Sequence, residues 1–303
     1  MTRSTKSKTK RKVSLTFEAI GTQWAIDLTA TPEQAAGLLE RLLVRIDEFD
    51  KAYSRFRADS LVSSMSQTAG RYALPEDAQP LMALYWRMYQ ATEGAVTPLI
   101  GQVLSDAGYD AKYSFAPGPM RAPSAWEEAM EVRGRTVYLK QPALLDFGAA
   151  GKGYLVDIVA SLIEVQGIRS YCVDAGGDIR YRSANGKYMR IGLEHPDNPR
   201  QVIGVASLSS GRSLCGSAGN RRKWAEYHHI MHPHTLRSPT TIKAVWVAAG
   251  TALLADGMAT CLFFVPPEQL FNHGLRFAYV ILYEDGTVLA SRDFPGELFT
   301  ATK

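Results

Sequence analysis

The sequence predicts an α+β fold, with mixed, mostly antiparallel sheets packed with helices. Three observations carry that expectation. Most strand-like segments neighbour another strand with only a turn between them, which a doubly wound parallel sheet does not allow. The first half is dominated by helical periodicity, whereas the second half is a run of short β-rich segments broken by two helices. The 303 residues are 46% hydrophobic and 21% charged, enough to bury one large core or two modest ones, and this composition excludes disordered and fibrous architectures.

Val13 to Leu28 reads as two strands meeting near Gly21, with Val13, Leu15 and Phe17 alternating in the first and Trp24, Ile26 and Leu28 in the second. Thr31-Pro32-Glu33 then supplies an N-cap and a proline at the first helical position. Leu38, Leu39, Leu42, Leu43, Ile46 and Phe49 mark the apolar stripe of one long helix reaching about Tyr53. Further helices are predicted from Pro75 to Thr92 and around Pro98 to Ala107, and Phe115 to Pro123 is a Pro/Gly-rich loop. In the second half, β character appears around Val137, Leu145, Tyr171, Met189, Val205 and Val245, and helices run from Lys152 to Gln166 and Thr251 to Phe264. The chain closes with strands at Ala278 to Tyr283 and Thr287 to Ala290, turning at Glu284-Asp285-Gly286.

The formal net charge of +4 is misleading, because Arg3, Lys6, Lys8, Lys10, Arg11 and Lys12 all precede the first acidic residue, Glu18. Setting those six aside from the 34 basic residues leaves 28 against 30 acidic ones, a body of net charge −2. No nucleic-acid surface is indicated, and residues 1–12 read as a solvated, disordered basic tail ahead of a domain spanning 13–303. The tail is not followed by the apolar stretch of a secretory signal, since Glu18 and Asp27 interrupt it, and no apolar run approaches the roughly 20 residues a membrane span requires. Cys172, Cys215 and Cys261 are few and far apart, which argues for a reducing compartment and a cytoplasmic protein.

Four segments could carry chemistry. Leu145 to Tyr154 runs from a strand end through small residues into a helix, where the helix N-terminus and Lys152 offer positive potential to a phosphate. Neither the Walker nor the Rossmann glycine spacing is met, and a plain strand-to-helix turn remains open. Asp174-Ala175-Gly176-Gly177-Asp178 reads as a hairpin turn. His228, His229, His232 and His234 raise zinc binding, since three of them would share a face of one strand, although Pro233 interrupts such a strand and a polar ligand-facing loop fits as well. Asp256 and Thr260, four apart on a helix, project from one face, where carboxylate and hydroxyl could reach a hard cation or simply meet solvent.

Taken in order, these segments resemble the ApbE family of flavin transferases, the FAD:protein FMN transferases. Ile20-Gly21-Thr22 is similar to that family's opening Met-Gly-Thr, Tyr53 to Ser63 to its Ser-Arg/Thr-Phe/Tyr segment, and Gly94-Ala95-Val96-Thr97-Pro98 to Gly-Ala-Phe-Asp-Pro. Leu145 to Asp157 resembles Leu-Asp-Leu-Gly-Gly-Ile-Ala-Lys-Gly-Tyr-Ala-Val-Asp, and Asp174 to Ile179 resembles Asn-Ala-Gly-Gly-Asp-Ile. His228 to Thr235 is similar to His-His-Ile-x-Asp-Pro-x-Thr-Gly, and Ala255 to Thr260 to Ala-Asp-Ala-x-Ala-Thr. The chain departs from these patterns at Ile20, Thr97, His232 and Leu236, where Met, Asp, Asp and Gly are usual, and Gly216 to Asn220 only loosely matches Thr-Ser-Gly-Asp-Tyr.

The resemblance implies an ApbE-like fold and Mg²⁺-dependent cleavage of FAD, with FMN passed to a threonine hydroxyl of an acceptor protein and AMP released. It places metal ligands on Asp256, Thr260 and the Ala149 carbonyl, and flavin-nucleotide contacts on Ile20, Phe56, Ala95, Val96, Thr97, Asp146, Lys152 and Ile230. It places His229 beside the phosphates, where His229 and Lys152 would stabilise the leaving group. The alternatives are a FAD pyrophosphatase, in which water replaces the acceptor, and a non-catalytic flavin-binding protein.

Overall fold

The computed structural model describes residues 9–220 and 222–299. Its first element is the predicted hairpin, β1 (Arg11–Ala19) and β2 (Thr22–Ala30), paired from Arg11 opposite Ala30 to Ala19 opposite Thr22. The two-residue connection places both Ile20 (φ 47°) and Gly21 (φ 69°) in the left-handed region, the turn whose twist suits a tight hairpin. Glycine accepts this freely, whereas a β-branched isoleucine is strained there. The first eight residues of the predicted tail lie outside the described residues. Arg11 and Lys12, also assigned to the tail, instead extend β1, because Ala30 and Thr29 of β2 offer them backbone partners.

The hairpin starts an eight-stranded sheet whose order follows the chain. Its remaining strands are β3 (Tyr171–Ala175), β4 (Asp178–Arg182), β5 (Arg212–Ala218), β6 (Ile242–Ala249), β7 (Ala278–Tyr283) and β8 (Val288–Ala290), and every neighbour pair is antiparallel. The sheet is therefore a meander whose connections have grown. Residues 31–170 separate β2 from β3 and carry α1 (Leu38–Tyr53), α2 (Gln79–Ala91) and α3 (Gly151–Val165), and α4 (Ala252–Cys261) lies between β6 and β7.

Alternation within the strands explains the layers. In β6, Val245, Val247 and Ala249 face the core shared with Leu155 and Val156 of α3 and Met258 of α4. The intervening Ala244, Trp246 and Ala248 face a second core built with Leu193, Ala206 and Leu208 of a small three-stranded sheet. A buried valine or larger apolar side chain contributes about 1.5–3 kcal/mol, so a slip of β6 that moved Val245, Val247 and Trp246 to the wrong faces would be heavily penalised.

Several predicted elements change on folding. The Thr31 cap forms, with its hydroxyl accepting from Gln34, but the helix it opens stops at Ala35. Gly37 turns the chain through φ 61° before α1, so one predicted helix becomes two. The Pro98 to Ala107 segment begins as a single 3₁₀ turn at Pro98–Ile100 and continues as a helix at Gly101–Asp106. Leu145 is fully buried yet lies outside any strand, because its segment crosses the core without an edge to pair with; the Asp146 amide donates instead to the Pro98 carbonyl. Asp174 to Asp178 is the expected hairpin turn, with Gly176 at φ 62° and Gly177 at φ 98°.

Candidate active site

The β-sheet connections converge on a cavity of about 330 Å³. One wall is the contact between α3 and α4. Gly153 makes that contact possible: a Cβ there would sit 2.2 Å from the Ala252 carbonyl oxygen and 2.6 Å from Asp256 Cβ. The glycine that follows Lys152, and so breaks the Walker order, is the point where two helix backbones touch. Asp157 of α3 accepts from the Ala252 and Leu253 amides at 3.0 and 2.8 Å, anchoring the N-terminus of α4 to α3.

On this wall Asp256 Oδ2 accepts the Gly153 amide at 2.8 Å, and the Thr260 hydroxyl donates to the Ala149 carbonyl at 3.3 Å. The Ala149 amide is held by the Tyr85 hydroxyl at 3.1 Å. Asp256, Thr260 and Ala149 thus bring carboxylate, hydroxyl and carbonyl oxygens to the lining of one cavity. Burial, reinforced by the charge of Asp178, pushes the Asp256 carboxyl well above the usual carboxylate range.

Lys152, in the first turn of α3, directs its ammonium onto the carboxylate of Asp178, which is completely buried at the head of β4. Burial works against the ammonium, but Asp178 and Asp256 outweigh it, so Lys152 is held charged. Asp146 is also fully engaged: it accepts from Arg55 Nε at 2.6 Å and from the Gly148 amide at 2.7 Å. The buried Arg55 donates as well to the Tyr109 carbonyl and lies over the rings of Phe56 and Tyr109, 4.2 and 4.8 Å from their centroids.

The opposite wall comes from the β5–β6 connection. His229 is half-buried, yet its Nδ1 is shielded from solvent and has no hydrogen-bond partner among the described residues. Burial, with the positive charge of Arg222 adding to it, drives its pKa down to about 3, so the imidazole is neutral at pH 7. The other histidines build turns. His228 Nε2 meets the Pro239 carbonyl at 2.9 Å, and His232 Nδ1 accepts from the His234 and Thr235 amides at 3.2 and 3.4 Å. A His232–Arg237 bridge folds the segment back, so His228, His232 and His234 do not share a strand face. Among the described residues no cluster of three or more His, Cys, Asp or Glu side chains suits a metal, and the histidine zinc site does not form.

Of the expected site residues, Phe56, Ala95, Val96, Thr97, Asp146, Ala149, Lys152, His229, Ile230, Asp256 and Thr260 all line the cavity. Ile20 does not. Its side chain packs on the main core, and the cavity is met by Gly21 of the turn and Thr22, the first residue of β2. Two departures from the family pattern keep a turn-forming acceptor while removing a charge. The Thr97 hydroxyl accepts from the Leu99 amide at 3.2 Å, and His232 Nδ1 acts as described. Leu236 keeps a left-handed backbone, φ 57°, where glycine is usual.

Sequence reasoning missed Asp178, Arg55 and Arg222. Asp178 was within reach, as the closing residue of a turn already singled out. Arg55 lies in a quoted motif without a predicted role, and no spacing signal marks Arg222.

The arrangement has relatives. A FAD:protein FMN transferase of Vibrio cholerae serotype O1 is 27% identical over 284 residues, covering 86% of this chain and 84% of its own. One of Escherichia coli strain K12 is 24% identical over 278 residues, covering 83% and 78%. The solved flavin transferase ApbE from Vibrio cholerae matches with a TM-score of 0.74 at 23% identity, over 94% of this chain and 98% of its own. The ApbE protein from Thermotoga maritima matches with a TM-score of 0.80 at 21% identity, over 95% and 100%. These likenesses establish the expected fold. The model of the ApbE family matches residues 8–277, and this chain belongs to that family.

Proposed function

We propose that this chain is a Mg²⁺-dependent FAD:protein FMN transferase, which cleaves the FAD pyrophosphate, attaches FMN to a threonine hydroxyl of an acceptor protein and releases AMP. The observation that carries this reading is the meeting of the Asp256 carboxylate, the Thr260 hydroxyl and the Ala149 carbonyl on the wall of one cavity.

The residues fit a hard divalent cation. All three donors are oxygens, and the one carboxylate is buried with a single amide donor, an environment that a cation would relieve. A bound Mg²⁺ supplies neutralisation of phosphate oxygens and polarisation of the phosphorus. Around it Lys152 offers its ammonium to a phosphate oxygen, and the neutral His229 offers a hydrogen bond that adds no charge. Phe56 presents an aromatic face to a flavin or adenine ring. In the transfer, the acceptor oxygen bonds to the phosphorus of the FMN half as the bond to AMP breaks, and positioning does most of the catalytic work.

Among the described residues no helix is long and apolar enough to cross a membrane. The three cysteines are buried and unpaired, which supports placing the enzyme and its acceptor in the cytoplasm.

The test is incubation with FAD, Mg²⁺ and a cell extract, followed by in-gel flavin fluorescence after denaturation and by AMP assay. A covalently fluorescent band with AMP release is expected. Free FMN formed without an acceptor would instead identify a pyrophosphatase, and FAD retained without AMP release a binding protein.

A further inference from the structure

We infer that Arg222 is a phosphate ligand of the nucleotide site, the cation that draws the pyrophosphate into the cavity; this rests on the FAD reading above. Among the described residues, two permanently charged cations line the cavity, Lys152 and Arg222. They differ in one respect. The Lys152 ammonium is already matched by the buried Asp178, so before a metal arrives that corner has no unmatched positive charge with which to draw in a dianionic pyrophosphate.

Arg222 has no such counter-charge. Its Nη1 donates to the Tyr109 hydroxyl at 3.0 Å, and no ion pair to a carboxylate is found for it among the described residues. Its side chain nevertheless belongs to the site, lining the same cavity as His229 and Asp256. A guanidinium oriented by one neutral hydrogen bond keeps most of its donors free, in the planar fork that fits phosphate oxygens. Tyr109 is itself held beneath Arg55 and beside Trp224, with ring centroids 5.4 Å apart, so the anchor is a packed ring. The rest of the wall offers no substitute, since His229 is neutral and Arg55 is committed to Asp146.

The experiment is a pair of fluorescence titrations, with FAD and with riboflavin, which lacks phosphate, each in EDTA and in Mg²⁺. Arg222→Met should weaken FAD at least tenfold in both conditions and leave riboflavin within twofold. Arg222→Lys should recover part of the loss, and the salt dependence of FAD binding should flatten in Arg222→Met. Equal losses for FAD and riboflavin would show that Arg222 only braces the aromatic wall, and unchanged FAD affinity would show that it binds nothing; either overturns the assignment. A wild-type protein that binds riboflavin as tightly as FAD would overturn the nucleotide reading itself, and Arg222 with it.

Discussion

The two walls of the cavity are built in opposite ways. The α3–α4 wall is two helices in backbone contact at Gly153, with Asp157 of one helix capping the other. Among the described residues, the β5–β6 connection carries only the two-residue strands Lys223–Trp224 and Tyr227–His228. It holds its shape through side-chain to backbone hydrogen bonds from His228, His232 and Ser238, and through left-handed residues at Ala225 and Leu236. Buried charges tolerate little positional error, and the α3–α4 wall fixes Asp256 of α4 and Lys152 of α3, the latter against Asp178 of β4. The wall of turns carries the neutral His229 and the exposed Arg222, groups that can adjust to a ligand.

The contrast is broken most severely at Asp256. Asp256→Asn should lower AMP release by about three orders of magnitude, because a hard cation loses an anionic ligand. Its melting temperature should hold or rise, since the amide fills the same volume without a carboxyl whose ionisation burial and Asp178 oppose, and the side-chain oxygen can still accept from Gly153. Full AMP release by this variant would defeat the metal assignment.

Next in size is Gly153→Ala, which asks whether helix contact positions the charges. The added Cβ collides with the backbone of α4, so denaturant unfolding should show a loss of about 3 kcal/mol or more, with a matching fall in FAD turnover. Wild-type stability would mean that the helices can part at no cost.

On the other wall, His229 gives a pH effect. The unfolded imidazole takes up a proton below about pH 6.5, whereas the folded one resists until about pH 3. Stability from this group is therefore complete above pH 6.5 and declines as the pH falls towards 3, by at most about 1.4 kcal/mol per pH unit. His229→Gln should shallow that decline when unfolding is measured from pH 7 to pH 4.5. Parallel curves for the two proteins would show the ring to be solvated.

The smallest effect belongs to Leu236. Relieving its left-handed backbone with Leu236→Gly should raise stability by about 0.5–1 kcal/mol, read as a shifted denaturation midpoint, with FAD affinity within twofold. A destabilised variant would mean that the packing of the leucine side chain against the apolar cluster that holds Trp224 and Met231 outweighs the strain.

Much of this architecture is local and can be read along the chain. The first hairpin, α3, α4 and the last two strands of the meander are set by periodicity, caps and turn residues, which act over a few positions. The same holds for Asp256 and Thr260, whose spacing alone puts them on one helical face. Local signals also mislead where folding adds a competing term. Leu145 looks like a strand residue because it is apolar among apolar neighbours, and Gly37 is hidden inside a helical stripe until its backbone turns.

Local signals along the chain specify the set of elements and the residue types that could carry chemistry, whereas packing alone assembles those residues into a site. The pairing of Lys152 with Asp178 requires α3 to pack across β4, and the opposition of Arg222 to Asp256 requires the β5–β6 connection to close over α4. The interrupted meander places residues 31–170 between two neighbouring strands, a separation that no motif encodes. The physical reason is that periodicity reports which face of an element is buried, whereas the partner buried against it follows from packing both faces of the sheet at once.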